Sequence, residues 1–412
     1  MGLQGILSSF KLGGGKAKAS PSDAAPRPIK VAESPIAIDF GTSALKVLQV
    51  IQGDTPQFIS AASMPVPADI ISDHKRRLEL QFQALPKLVK SVDFRGKRAV
   101  CAIPAWQTIV KHLQFPKTDP SHLRGLVEGL IPQHFNADPS MLVYRTIEIA
   151  GAPGKTDVIV IAARRDAVQR IMEAIVAAKL EPVGMQSAYV CLIKSFEHLQ
   201  RRQGDESLNS MYLDVGAMTT TVAIAHGRDL AFARTINIGG WHLDECIAKH
   251  TGCDIESART QRLSVGTVGN AVAMLPAPNK ELQPDIDRRS GETPSGFSGE
   301  VTHGPAFAVG PAGINFSEPL ETLTDELKLC MRYHASQFPQ RKIERVIFVG
   351  GEVRHKGFTQ HLARALRQPA QVADPMARVA RTNNEKVVGV DFKVPQPGWA
   401  VGLGLALSPT DL

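Results

Sequence analysis

The sequence predicts a mixed α/β protein with room for two domains, and three observations carry this prediction. The chain has 412 residues, whereas a single hydrophobic core rarely grows past about 250–300 residues. Segments typical of strands alternate with segments typical of helices, which indicates an α/β architecture. A hairpin with an aspartate before its turn occurs twice, at residues 39 and 214.

Strands and helices are predicted from the spacing of apolar residues. Runs rich in β-branched residues and bounded by turn residues are typical of strands, and apolar residues three and four positions apart are typical of helices. In chain order the clearest segments are strands at 98–106 and 158–163, a helix at 165–179, three strands within 211–236, a helix at 321–338, a buried strand at 345–351 and a helix at 356–367.

Composition excludes several classes of protein. Apolar residues make up 43% and charged residues 21% of the chain, as in soluble globular proteins, and no apolar run reaches the roughly 18 residues of a membrane span. The net charge of +7 is diffuse, and its densest clusters, at 74–77 and 95–98, lack aromatic side chains that stack on bases. Nucleic acid is therefore not an expected partner, whereas an anionic membrane surface or an acidic partner fits. Five scattered cysteines without a C-x-x-C pair favour reduced thiols over disulfides or zinc.

Two stretches lack the pattern of a packed core. Residues 13–33 are rich in Gly, Ala, Pro and Lys and are predicted to be a flexible linker. Residues 1–12, upstream of it, have the spacing of a short amphipathic helix, which fits either a frayed end or a weak contact with a membrane or partner. Residues 265–312 have no sustained period and are interpreted as long loops or an insertion.

The first hairpin contains the residue types that a phosphate site needs. In the stretch SPIAIDFGTSALKVLQV, Asp39 ends an apolar run, Gly41, Thr42 and Ser43 form the turn, and Lys46 lies in the next apolar run. A glycine lets the backbone turn so that its N–H groups point at phosphate oxygens, and hydroxyls add donors. Taken alone, the same pattern also fits an ordinary buried hairpin with a polar turn.

The second hairpin, LDVGAMTTTVAI, repeats this design with Asp214, Gly216, Thr219 and Thr220. Carboxylates do not meet phosphate directly, so two facing aspartates suggest a hydrated Mg²⁺ held by Asp39 and Asp214 through water. Two hairpins of this form favour a phosphate site far more strongly than one.

Two glycine pairs follow the hairpins along the chain. Gly239 and Gly240 stand just before a helical run, so the helix N-terminus could face an anion. Gly350 and Gly351 end a buried strand, where the backbone can approach a flat ring closely. Each pair, taken alone, also fits a tight turn from strand to helix.

In this order, the segments resemble the actin-like ATPase superfamily over residues 34–408. The resemblance implies an α/β fold of two lobes, each on a ribonuclease-H-like sheet, with a small extra α+β subdomain in the first lobe and ATP with Mg²⁺ in the cleft. The domains that it implies are an N-terminal segment at 1–33, a first lobe at 34–205 with the subdomain at about 70–180, and a second lobe at 206–408 with the insertion at about 265–312.

The resemblance also implies a role for each matching residue. The first phosphate loop would be Asp39, Gly41, Thr42, Ser43 and Lys46, and the second Asp214, Gly216, Thr219 and Thr220. The adenosine would lie against Gly350, Gly351 and Glu352, after the helix that begins at Gly239 and Gly240. Gln186 resembles the residue that orients the attacking water, and the segments 183–196 and 397–407 resemble the two helices that connect the lobes.

Within the superfamily, the chain most resembles the PilM family of type IV pilus assembly proteins. Residues 95–117 are similar to that family's small subdomain, and residues 156–192 and 399–409 are similar in pattern. This implies a scaffold at the cytoplasmic face of the inner membrane. A groove between the first lobe and the small subdomain would take the cytoplasmic tail of a PilN-like membrane protein, and a homo-oligomer is compatible with the same resemblance.

Departures from the family keep alternatives open. Arg259 and Arg262 stand where the family often has Glu and Lys, and Gln186 stands where acidic residues are usual, so the nucleoside contacts and ATP hydrolysis stay open. An FtsA-like tether or filament protein is one alternative, less favoured because FtsA typically ends in an amphipathic helix that SPTDL lacks. A small-molecule kinase is another, and it would need a general base that neither IPAWQTIV nor GMQSAY supplies.

Overall fold

The computed structural model describes residues 34–149, 154–200, 208–266, 316–382 and 384–408. The predicted N-terminal helix and linker, and nearly all of the predicted insertion, lie outside these described residues. Within them the chain is a mixed α/β protein, as predicted. None of its described helices is long and apolar enough to cross a bilayer.

Fourteen strands and nine α-helices run through the described residues. The strands are β1 (Ile36–Phe40), β2 (Ala44–Ile51), β3 (Gln57–Pro65), β4 (Arg98–Ile103), β5 (Thr108–Pro116), β6 (Leu142–Ile149), β7 (Lys155–Arg164), β8 (Glu181–Ser187), β9 (Asn209–Val215), β10 (Thr220–His226), β11 (Asp229–Ile236), β12 (Arg345–Val349), β13 (Ala370–Val372) and β14 (Val387–Val388). The helices are α1 (His74–Lys90), α2 (Pro120–Phe135), α3 (Arg165–Ala177), α4 (Ala188–Ser195), α5 (Gly240–Thr251), α6 (Ile255–Gly266), α7 (Ser317–Gln337), α8 (Lys356–Leu366) and α9 (Ala400–Ala406).

The first lobe is built on a six-stranded sheet in the order β14-β3-β2-β1-β4-β8. The β1–β2 hairpin is antiparallel, whereas β1, β4 and β8 run parallel because helices or the small subdomain connect them. Helices α1 and α3 cover one face of the sheet, where their apolar stripes meet strand residues such as Ile36, Ile38 and Leu45. The predicted helix at 165–179 therefore forms as α3 and helps to close this core.

The second lobe is built on a five-stranded sheet in the order β11-β10-β9-β12-β13. Strands β9, β10 and β11 form the antiparallel meander predicted within 211–236, and β12 then pairs parallel to β9. Helices α5, α7 and α8 pack on one face through a core that includes Leu243, Leu323 and Leu362. The sheet therefore repeats the hairpin-plus-parallel-strand arrangement of the first lobe.

A separate three-stranded sheet, in the order β5-β7-β6, forms the small subdomain. All its strands are antiparallel, and α2 covers one face through Val127 and Ile131. Its strands and helix span residues 108–164, inside the predicted range of about 70–180, whereas α1 and α3 near the two ends of that range belong to the first lobe.

Helices α4 and α9 cross between the lobes. They touch so closely that a β-carbon at Gly404 would lie 1.8 Å from the carbonyl oxygen of Cys191, and only a glycine allows this approach. The core around them takes in residues from both large sheets, among them Ala37 and Tyr212. The two segments that were expected to connect the lobes therefore do meet at one crossing.

Candidate functional site

The first loop lies at the tip of the β1–β2 hairpin. Asp39 and Lys46 are direct cross-strand partners, so their side chains lie on the same face of the sheet. Gly41 follows β1 at a turn so tight that a β-carbon there would lie 2.8 Å from the Ala44 carbonyl oxygen. The turn needs glycine for this close approach, as the sequence pattern predicts.

Lys46 holds the first loop to the far end of the chain. Its Nζ donates to the carbonyl oxygen of Gly398 at 2.5 Å and lies 3.6 Å from Oδ2 of Asp39. Gly398 begins the approach to α9, so a single ammonium group links the hairpin to the second connecting helix. Both side chains are largely buried, which makes this ion pair less screened than a surface pair.

The second loop lies at the tip of the β9–β10 hairpin. The Gly216 amide donates to the carbonyl of Thr219 at 2.9 Å and closes the turn. The buried hydroxyl of Thr220 donates to the carbonyl of Ile238 at 2.8 Å, so this side chain holds the turn against the end of β11. Thr219, which is partly exposed, is the hydroxyl that stays at the surface of the loop.

The two loops face each other, and their acids influence each other. Burial raises the pKa of Asp214 to about 6; Lys46 works against this rise, and the charge of Asp39 adds to it. Burial also raises the pKa of Asp39, against the attraction of Lys46. Two carboxylates therefore share one ammonium group, and the site has more negative charge than the protein itself neutralises.

This excess of carboxylate suits a divalent cation. Oxygen ligands are the donors that Mg²⁺ takes, and it is held in nucleotide sites through few protein carboxylates and several waters. Asp39, which is buried, and Asp214, which is partly exposed, supply two such oxygen donors, and this is compatible with water-mediated binding. Among the described residues no group of three or more His, Cys, Asp or Glu could hold a metal ion directly.

The first glycine pair has a different role from the one expected of a helix N-terminus. The amides of Gly240 and Trp241, which begin α5, donate to the carbonyls of Gly216 and Ala217 at 3.1 and 2.8 Å. A β-carbon at Gly239 would lie 2.2 Å from the Gly216 oxygen. The expectation that these first amides face an anion is thus corrected: they hold the second loop, and the glycines permit the close contact.

The second glycine pair lies between the two loops. Gly350 has a positive φ of 103°, and its amide donates to the carbonyl of Pro397 at 2.9 Å. A β-carbon at Gly351 would have Ser43 Oγ as its nearest neighbour, at 3.9 Å, so this glycine faces the first loop across open space. The segment after β12 therefore lies against the second loop at Asp214 and Val215 and faces the first loop at Ser43.

Glu352 lies in a buried ion-pair cluster. Nη1 of Arg262 lies 2.7 Å from Oε2 of Glu352, and Nε of the same arginine donates to Oδ1 of Asp244 at 2.5 Å. Arg259 approaches Glu352 at 3.6 Å and keeps about a quarter of its side chain exposed. The two arginines that depart from the family pattern thus both meet the predicted adenosine residue.

Gln186 lies near the end of β8, where β8 pairs with β4. Its Oε1 accepts from Nη1 of Arg145 on β6 and from the Ser187 amide, both at 3.2 Å. The side chain is 6% exposed. It therefore ties the small subdomain to the first lobe in this conformation, and its role in orienting water stays a prediction.

Three contributors to the site were missed in the sequence. Gln81 on α1 donates from Nε2 to the Gly41 carbonyl at 2.7 Å, Gly398 accepts from Lys46, and Asp244 pairs with Arg262. The partners in the first two bonds are 40 and 352 positions apart in the chain. No local pattern marks such pairs, because each depends on how the sheets and helices pack.

Two protein-family models match this chain. The family model of type IV pilus assembly protein PilM matches residues 37–274, and that of cell division protein FtsA matches residues 211–404. These matches confirm the predicted resemblance.

Three solved structures are similar to this chain to different degrees. The structure of a "PilM-PilN type IV pilus biogenesis complex" is 20% identical, with a TM-score of 0.68 over 91% of this chain and 98% of that one. Ethanolamine utilization protein EutJ from Carboxydothermus hydrogenoformans is 14% identical, with a TM-score of 0.45 over 90% and 89%. MreB5 of Spiroplasma citri bound to ADP is 10% identical, with a TM-score of 0.43 over 90% and 94%. The first of these likenesses establishes the two-lobed actin-like fold.

Proposed function

Because this chain belongs to the PilM family of type IV pilus assembly proteins, we propose that it is a nucleotide-binding scaffold of the pilus inner-membrane complex. In this role it docks the cytoplasmic tail of a PilN-like membrane protein and lies at the cytoplasmic face of the inner membrane. ATP with Mg²⁺ is the proposed ligand of the cleft.

The observation that carries the nucleotide part is the meeting of Asp39, Asp214 and Lys46. The two carboxylates lie on opposite loops and share one ammonium group, so a cation–phosphate ligand would supply the missing positive charge and use the turn amides. Asp39 and Asp214 would hold Mg²⁺ through water. The amides of Gly41 to Ser43 and of Ala217 to Thr219 would donate to phosphate oxygens, while the Gly216 amide closes the second turn. The bound ion would neutralise phosphate charge.

The nucleoside would lie on the second-lobe side of the site, near Gly350 and Gly351. Glu352 keeps its proposed place there, but its carboxylate is already paired with Arg262. Arg259, with its partly exposed guanidinium, is therefore the side chain of this cluster that is best placed to meet a base or ribose. The proposed scaffold binds nucleotide and hydrolyses it weakly at most.

The docking groove would run between the first lobe and the small subdomain. Ile103 at the end of β4, Met185 on β8 and Val143 on β6 are all partly exposed and pack around one small apolar cluster with Ala163 and Val168. Apolar side chains from both units thus meet at one surface, which suits the apolar residues of an extended peptide.

The match to FtsA supports one alternative, a filament-forming tether, and sedimentation of ATP-dependent polymers would distinguish it.

The test is equilibrium binding of ATP, with and without Mg²⁺, to the full chain and three variants. Asp39→Ala and Asp214→Ala should each weaken Mg²⁺-dependent binding at least about tenfold, or about 1.4 kcal/mol. Asp325→Ala, an exposed acid on α7, should leave it unchanged. Unchanged binding in both site variants would remove the proposed site, and rapid phosphoryl transfer to a small molecule would replace the scaffold with a kinase.

A further inference from the structure

A small apolar cluster joins the two lobes beside both phosphate loops. Four buried residues between β3 and α1, here called the latch, provide its first-lobe side: Val66, Ala68, Ile70 and Ile71. On the other lobe the cluster includes Ala217 and Met218 of the second loop, Trp241 at the start of α5, and Ile255 of α6. The latch therefore packs directly on the loop that would hold phosphates.

Backbone hydrogen bonds tie each side of this cluster to its own loop. The Val66 amide donates to the carbonyl of Ser43 in the first loop at 2.9 Å. On the second lobe, Trp241 donates its amide to Ala217 at 2.8 Å. With the latch packed, the first loop cannot separate from the second without breaking apolar contacts within this cluster.

A buried arginine on α1 contacts the latch at Ile71. Arg77 on α1 is 1% exposed; its Nη1 donates to the carbonyl of Ile71, and its Nη2 lies 3.1 Å from Nδ1 of His74. Its guanidinium lies over the ring of Trp106, 5.3 Å from the centroid. Among the described residues no carboxylate lies within ion-pair distance of Arg77, and burial lowers its pKa to about 10 against the attraction of Asp73. A buried cation without a direct ion pair is costly, so a positional role explains Arg77 better than a stabilising one does.

We propose that the latch gates the nucleotide cleft: nucleotide enters and leaves only when Ile70 and Ile71 separate from Met218 and Trp241. The proposal rests on the proposed function, because it describes regulation of the same site. The lobes stay connected where α4 crosses α9, so opening is a rotation that separates the two loops while that crossing holds. The latch is the element with two states, packed or released, and its stability sets the rate of nucleotide exchange.

Arg77 extends the gate toward the small subdomain. Trp106, which the guanidinium covers, lies between β4 and β5, where the chain enters the three-stranded sheet. A partner that moves Trp106 would therefore act on the Ile71 carbonyl through one side chain. This makes Arg77 a positioning residue of the gate, and Arg77→Met should speed exchange without removing any group that would touch nucleotide.

The first measurement uses the nucleotide-free chain and hydrogen exchange at the amides of 66–71. Met218→Ala should speed exchange there at least about fivefold, because it removes a contact from the opposite lobe. The control is Met172→Ala, a deletion of the same size at a buried residue of α3, which should leave exchange at those amides unchanged. Equal protection in the two variants would show that the lobes do not hold the latch and would overturn the proposal.

The second measurement is dissociation of a fluorescent ATP analogue, chased with excess ATP in stopped flow. Ile70→Ala, Met218→Ala and Arg77→Met should each release it at least about tenfold faster, whereas Ile171→Ala, a buried isoleucine of α3, should match the parent. If Ile70→Ala fails to fold, Met218→Ala still tests the gate, because Met218 is partly exposed and its truncation disturbs the core less. Wild-type release rates in all three variants would overturn the gate, and absence of analogue binding to the parent chain would instead overturn the proposed function.

Discussion

Gly350 lies so close to Asp214 that a β-carbon on the glycine would sit 2.5 Å from the carboxylate oxygen Oδ1. The same atom would lie 2.3 Å from the carbonyl oxygen of Val215, and the backbone of Gly350 is left-handed, with φ at 103°. The turn after β12 therefore packs directly against Asp214 of the second loop. Two motifs separated by more than a hundred residues form one surface, and glycine is the residue that permits it.

We expect Gly350→Ala to disturb both the fold and the site. The new methyl group must displace Asp214 or the backbone at Val215, and the residue would adopt a strained φ, which together cost about 1–3 kcal/mol. Thermal unfolding should shift down by several degrees, and ATP affinity should fall because Asp214 moves.

The neighbouring glycine is the matched control for that change. Gly351 has an ordinary helical φ of −68°, and a β-carbon there would meet no atom closer than 3.9 Å. Gly351→Ala should therefore unfold at the same temperature as the parent, while it weakens ATP binding if adenosine approaches this backbone. Equal loss of stability in both variants would contradict the geometry.

The acid at 214 should lower the stability of the nucleotide-free protein. Its pKa is raised from an ordinary 3.8 to about 6 by burial, so between these values the native state keeps a proton that the unfolded chain releases. The free energy of unfolding should therefore fall as the pH rises through that window. Asp214→Asn removes this penalty, so it should stabilise the protein at pH 7.5 by about 1–2 kcal/mol and have little effect near pH 3.5.

Chemical unfolding of parent and variant in EDTA, at a series of pH values, measures the difference. Asp325→Asn, at an exposed acid on α7, provides the control substitution. A stabilisation by Asp214→Asn that grows as the pH falls would have the wrong sign and would refute the raised pKa.

We expect the two arginines of the ion-pair cluster to contribute differently to the free energy of unfolding. Arg262 is fully buried between Asp244 and Glu352, so Arg262→Met leaves two buried carboxylates without a partner and should cost about 3–5 kcal/mol. Arg259 is partly exposed and 3.6 Å from Glu352, so Arg259→Met should cost less than about 1 kcal/mol. Denaturant midpoints with unchanged slopes measure both, and similar losses in the two variants would show that the burial of Arg262 carries no special weight.

Local patterns in the sequence were enough to predict the hairpins and their acids. The turn at Gly41 and the turn at Gly216 need glycine for reasons that lie within a few residues of chain, so the spacing of Asp, Gly and hydroxyl residues carries that information. The strands at 345–351 and 211–236 were predicted for the same reason, since their apolar runs and turn residues are local.

Local sequence patterns could not predict the contacts between distant segments of the chain. Thr220 looks like a phosphate donor in the sequence, yet it is buried and bonded to Ile238, because β11 returns beside it. The amides that start α5 are bonded to the second loop for a similar reason. Pairs such as Lys46 with Gly398 depend on the packing of α9 between the lobes, which hydrophobic periodicity does not encode.

The proposed docking groove makes the last prediction. Val143 lies on β6 of the small subdomain, and its partly exposed side chain packs with Met185 and Ile103 of the first lobe. Val143→Glu places a charge among apolar groups that a bound peptide would cover, so the cost of desolvating it falls on the complex. Binding of a synthetic N-terminal tail of a PilN-like protein should weaken at least about tenfold, with ATP binding unchanged.

Val372→Glu, at an exposed valine on β13 of the second lobe, is the control and should bind the tail like the parent. Equal affinity in both variants, measured by fluorescence anisotropy, would place the docking surface elsewhere on the protein.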